Sequence, residues 1–167
     1  MAHPLALMTI VAGMACAAIV DLRTRRVPNV LTLSIAIAGV ALAAGGVGPV
    51  TTGAAVSGAV VGLLLMLPGH LLGGTGAGDV KLFAAAGTLL GPGGTVVAFL
   101  ATAIAGGFLA LTAAVRRGRL ARSVDATVRL VATGGASVEE IDSPQSDNRF
   151  AYAPAIAIGA TLAAFVR

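Results

Sequence analysis

Two aspartates are the residues of this chain best placed to do chemistry. Asp79 lies in the run Gly74-Thr75-Gly76-Ala77-Gly78-Asp79-Val80-Lys81, and Asp21 opens Asp21-Leu22-Arg23-Thr24-Arg25-Arg26-Val27-Pro28-Asn29. Each sits at the edge of a long apolar run, where a carboxylate is costly unless it has a partner or a task. Like charges about 3 Å apart cannot both ionise, so two carboxylates brought together share a proton. Such a pair titrates as a unit. Its ionised member can take a proton from water, and its protonated member can donate to a carbonyl oxygen. That is enough to hydrolyse a peptide bond without a metal or a covalent intermediate.

Plainer roles are open to the same residues. Asp21 can pair with Arg23 or Arg25 at a membrane boundary. Asp79 can cap a helix beginning at Val80, because an Asp side chain satisfies free N–H groups there. A small transporter or channel with Asp79 as an intramembrane proton or ion site is the competing functional class. The other five acids, Asp125, Glu139, Glu140, Asp142 and Asp147, fall in a polar stretch and read as solvated charge. Cys16 is the single cysteine, so no intrachain disulfide can form and no Cys-x-x-Cys zinc motif exists. His3 and His70 lack ligand spacing, and neither a metal nor a cofactor is expected.

The elements that must position the aspartates are read from composition. The chain has 167 residues, of which 57% are hydrophobic and 11% charged, and its mean hydropathy is +0.95. Soluble domains carry about 25% charged residues. The expectation is an all-α membrane protein of one domain with six spans, at 4–20, 30–44, 51–72, 80–90, 95–115 and 150–166. A cleaved signal peptide competes for the first run, but its Met-Ala-His start has no basic residue, so a retained helix is favoured. The fourth run, at eleven residues, covers only about 16–18 Å, short of the roughly 30 Å bilayer core. That shortness sets Asp79 near or within the inner leaflet. Gly58-x-x-x-Gly62 in the third run has the spacing that lets membrane helices approach closely.

Charge orients the spans. Of the eleven Lys and Arg residues, ten follow runs one, three and five. With both termini outside, all ten face the cytoplasm; Arg167 is the exception. The net charge of +4 therefore reports topology, and no basic–aromatic interleaving suits nucleic acid. Two spans separate Asp21 from Asp79, and an even number of crossings returns the chain to one face. Between runs five and six lies the polar loop 116–149. Its first part sets Leu120, Val124, Val128 and Val131 on one face and could lie in the membrane interface; its Gly/Ser/acid-rich second part, 134–148, reads as mobile.

At these residues the sequence resembles a known family. Gly76-Ala77-Gly78-Asp79 resembles the GxGD signature of the type IV prepilin peptidases, which are membrane aspartic proteases. The segment from Asp21 to Asn29 is similar to that family's other aspartate region, and Tyr152-Ala153-Pro154-Ala155-Ile156-Ala157-Ile158-Gly159 to the motif opening its last helix. The resemblance implies a GxGD-type bundle with Asp21 and Asp79 as the catalytic pair. It sets Gly76, Gly78, Lys81, Pro28 and Asn29 among the substrate-binding or site-backbone positions. The implied substrate is a prepilin or pseudopilin leader, cut at the cytoplasmic face of a bacterial or archaeal plasma membrane, with a pilus assembly system and the lipid bilayer as partners. For Lys81 and Arg26 a lipid and topology role is favoured over contact with substrate. Larger members carry an N-terminal domain with paired Cys-x-x-Cys motifs and methylate the new pilin N-terminus. Neither feature is found in this sequence, so peptidase activity without methyltransferase activity is expected. That compact form resembles the enzymes of tight-adherence (Flp-type) pilus systems.

Overall fold

The computed structural model describes residues 4–116 and 152–166. Every regular element among them is helical: α1 Pro4–Thr24, α2 Asn29–Ala44, α3 Thr52–Leu71, α4 Ala77–Arg116 and α5 Ala153–Val166. Three stretches, Pro4–Thr24, Thr52–Leu71 and Ala77–Thr112, are long and apolar enough to cross a membrane, while α2 and α5 are shorter apolar helices. The expected interfacial helix near 119–131, the expected mobile stretch 134–148 and the five acids between Asp125 and Asp147 lie outside the described residues.

The apolar runs form helices because they are rich in Ala and Leu, which cost a helix little, and because they meet stops at their ends. Thr51 caps α3 by accepting the Ala54 N–H at 3.3 Å. Pro28 precedes the first residue of α2 in an extended conformation. The first run extends beyond its apolar part. Helical backbone continues from Val20 to Thr24 and ends where Arg25 turns to φ 53°. Arg25 still donates its N–H to the Asp21 carbonyl at 2.7 Å. Asp21 therefore lies within the last turns of α1, not in the turn that follows.

The fourth and fifth expected runs are joined in one element. Helical backbone in α4 is broken only at Gly91, with φ 59° and ψ 177°, a conformation open to glycine and strained for other residues. The chain reverses there. Phe83 and Phe99 flank the break by eight residues each and stack edge to face, ring centroids 6.1 Å apart. Sixteen residues of straight helix would separate them by about 24 Å. The two halves of α4, 77–90 and 92–116, thus lie side by side.

Small residues set the packing, as in membrane bundles where close backbone approach replaces large side chains. Gly58 of α3 lies directly against the Gly87 carbonyl and Gly91, and Gly62 lies against Phe83 and Ala84, so α3 and the first half of α4 are antiparallel. Gly159 of α5 sits on Ala98 and Thr102, and Gly106 on Tyr152, so α5 and the second half of α4 are antiparallel as well. Phe83, Leu82, Leu90, Ile10, Met14 and Ile156 are fully buried between the helices, whereas Ile37, Leu64, Leu100, Ile104 and Phe108 face outward. One end of the bundle holds the end of α1 and the starts of α2, α4 and α5. The other holds Ala6, Ala43, Val50 and the Gly91 turn.

Candidate active site

The polar end of the bundle is assembled from three helix termini. Asp79 lies in the first turn of α4, which begins at Ala77, three residues before the expected start at Val80. Its Oδ2 accepts the Gly76 N–H at 3.2 Å. This is half of a capping box, in which an acid at the third helical position reaches back to the residue before the helix. The capping role and a chemical role are therefore compatible at this residue.

The loop ahead of α4 is tied down at both ends. Gly73 has φ +74°. Gly74 and Thr75 donate their N–H groups to the Gly69 carbonyl at 2.8 and 3.2 Å. His70 Nδ1 donates to the Thr75 carbonyl at 2.9 Å. Gly76 stands where a Cβ would lie 3.2 Å from Asp79 Oδ2, and Gly78 where one would lie 3.3 Å from Val27 Cβ. Gly76 thus leaves room for the Asp79 carboxylate, and Gly78 lets α4 start hard against its neighbour. Gly78 fits under the α1–α2 turn, the segment that follows Asp21.

Asp21 is held from another helix. Its Oδ2 accepts the Ala153 N–H at 3.3 Å, across 132 residues of sequence. Ala153 is the first residue of α5, and its N–H is one of the donors that a helix start leaves without an internal partner. The rest of that turn is accounted for: Pro154 has no N–H, and Ala155 and Ile156 donate to the Tyr152 carbonyl at 3.0 and 3.2 Å. Asp21 completes the first turn of α5, and the positive end of the α5 dipole faces its carboxylate.

Both side chains are buried, Asp21 at 5% exposure and Asp79 at 8%. They lie close enough for the charge on Asp21 to act on Asp79. Among the described residues these are the only carboxylates. In a water-poor site two neighbouring carboxyl groups favour the state with one proton between them.

The remaining expected residues fall around this pair. Lys81, exposed two residues after Asp79, donates its Nζ to Asn29 Oδ1 at 3.0 Å, which ties the start of α4 to the start of α2. Pro28 stands before α2 and shapes the same turn. Two contributors were not assigned a role from the sequence: His70, which pins the glycine loop, and the Tyr152–Ala153 start of α5. Nothing local to that helix start links it to Asp21.

A family model described as the type IV leader peptidase family matches residues 8–111. That stretch holds Asp21 and Asp79 and ends before α5. No curated protein and no solved structure matches the chain.

Proposed function

The chain belongs to the type IV leader peptidase family, and from that premise we propose that it is a membrane aspartic endopeptidase acting through Asp21 and Asp79. Its substrate is the leader of a type IV prepilin-like protein, of the Flp type, with the scissile bond just ahead of the pilin's apolar helix. The observation that supports the reading is a pair of buried carboxylates, from α1 and α4, within electrostatic reach of each other, each accepting a backbone N–H at a helix start.

The chemistry follows from one shared proton. The ionised aspartate removes a proton from a water molecule as that water's oxygen bonds to the scissile carbonyl carbon. The carbonyl π electrons move to oxygen, and the protonated aspartate donates a hydrogen bond or its proton there. Collapse of the tetrahedral species breaks the C–N bond, and the proton taken from water leaves with the new amine. Both carboxyl groups end as they began, with one proton between them.

The six-span arrangement belongs to the same proposal. Reversal at Gly91 makes the two halves of α4 separate crossings, and it brings the ends of α1, α3 and the second half of α4 to one face. Gly106, which packs on Tyr152 beside the site, precedes Arg116 by ten residues, or about 15 Å of helix. With Arg116 at the cytoplasmic surface, the dyad lies within the inner leaflet. A pilin helix held in the bilayer then presents its upstream bond at that depth.

The direct test is co-expression with an Flp-type prepilin. Asp21→Asn and Asp79→Asn should each leave the precursor uncut while the wild-type chain processes it. Processing at the wild-type level by either variant overturns the dyad. Topology is read separately from single cysteines in a Cys16→Ser background: Gly46→Cys and Gly93→Cys should react with an impermeant maleimide from outside the cell, and Arg26→Cys should not.

A further inference from the structure

Tyr152 is the only tyrosine of the chain. Its position joins the two aspartates. It immediately precedes Ala153, whose N–H is held by Asp21, and its phenol lies within electrostatic reach of Asp79. The ring is half-buried and wedged against Gly106 in the second half of α4. A Cβ at that position would lie 2.8 Å from Tyr152 Cε2 and 2.9 Å from its hydroxyl oxygen. The absence of a side chain at Gly106 is what gives the ring its place. The two carboxylates and the phenol are the only oxygen acids among the described residues, and all three converge where α1, α4 and α5 meet.

Their chemistry is complementary. A dyad that shares one proton has a base for the water, but it must also meet the negative charge that grows on the scissile oxygen. One proton cannot serve every acceptor in the transition state. A fixed donor aimed at the developing oxyanion acts only as the charge appears and costs no reorganisation at that moment. A phenol is protonated at neutral pH, with an ordinary pKa of about 10, and donates without being consumed.

We propose that the Tyr152 hydroxyl is a catalytic group of this peptidase, donating a hydrogen bond to the scissile carbonyl oxygen opposite the Asp21–Asp79 pair. The assignment rests on the aspartic-peptidase reading above. Tyr152 keeps its proton throughout: water still loses its proton to the ionised aspartate, and the leaving amine still receives one. Gly106 is the positioning residue, because it fixes the ring that carries the donor.

The test uses the full chain, purified in detergent, with an Flp-type prepilin as the probe. Four forms are compared: wild type, Tyr152→Phe, Gly106→Ala and Asp79→Asn. Tyr152→Phe keeps the ring and its packing, so its thermal midpoint should match wild type. Its kcat should fall by roughly 10²-fold, the loss typical of removing one oxyanion donor, with KM changed less than about threefold. Gly106→Ala keeps the hydroxyl and displaces the ring, and should lower kcat in the same sense. Wild-type kcat in Tyr152→Phe, or a change confined to KM, overturns the role of Tyr152. Full activity in Asp79→Asn overturns the peptidase reading on which it rests, so the two failures are told apart.

Discussion

Two glycine-rich stretches of this chain look alike and do opposite things. Gly73-Gly74-Thr75-Gly76-Ala77-Gly78 precedes Asp79 at the polar end of the bundle, and Gly91-Pro92-Gly93-Gly94 lies at the apolar end. The first is non-helical through Gly76. It is pinned by His70 and by the Gly69 carbonyl, and it delivers a carboxylate to α1 and α5. The second keeps helical backbone except at Gly91 and only reverses the chain. Glycine content marks where backbone can bend or approach closely. What the bend accomplishes depends on the next polar residue, and after Gly91 none carries a charge until Arg116.

The comparison is broken most decisively at Asp79. Asp79→Asn should reduce prepilin cleavage by about 10³-fold or more while the thermal midpoint stays near wild type, since the amide oxygen can still accept the Gly76 N–H. A large loss of stability instead would make the first stretch structural, like the second. Gly58→Val sets a side chain into the Gly87 carbonyl beside the Gly91 turn. It should cost about 3 kcal/mol or more, read as loss of folded protein in detergent. Gly91→Ala should cost about 1–3 kcal/mol for a backbone region that essentially only glycine enters and lower the thermal midpoint, with cleavage per folded molecule unchanged. If cleavage falls out of proportion to stability, the turn acts on the site and the contrast dissolves.

Two smaller effects sharpen the contrast. His70→Ala removes the bond to the Thr75 carbonyl and should cost about 1 kcal/mol. Cleavage should drop a few-fold as the loop before Asp79 loosens. Lys81→Met removes the exposed bond to Asn29. It should change stability by about 0.5 kcal/mol or less, with cleavage within about twofold of wild type. A greater loss of cleavage with Lys81→Met would give this residue a part in holding substrate.

Much of the framework is legible in the sequence because the signals are local. Hydropathy and helix stops give four of the five helices among the described residues to within a few residues at most ends, and Gly58-x-x-x-Gly62 foretells the close contact with α4. Counting runs between Asp21 and Asp79 sets them on one face without any knowledge of packing. The residues of the candidate site were chosen from their types and motif positions, and the fold brings Asp21, Asp79, Gly76 and Gly78 to one end of the bundle.

What only the tertiary structure decides is everything that depends on which side of a helix faces which neighbour. These helices are apolar nearly all round, so periodicity does not reveal their buried faces. Small residues hold many inward positions, Ala17, Gly39, Ala55, Gly62 and Ala98 among them, and residues of one type divide between the two sides: Ile10, Leu82 and Ile156 are buried while Ile37, Leu64 and Ile104 face out. Asp21 reads as the first residue beyond a run in sequence, yet it lies inside α1, and its carboxylate is met by an N–H that begins a helix 132 residues away. The reversal at Gly91 and the seating of Tyr152 on Gly106 have the same origin. The chain's composition dictates long apolar helices with two acids at their ends. The contacts that turn those acids into a site come from close backbone approach between distant segments, which no local pattern encodes.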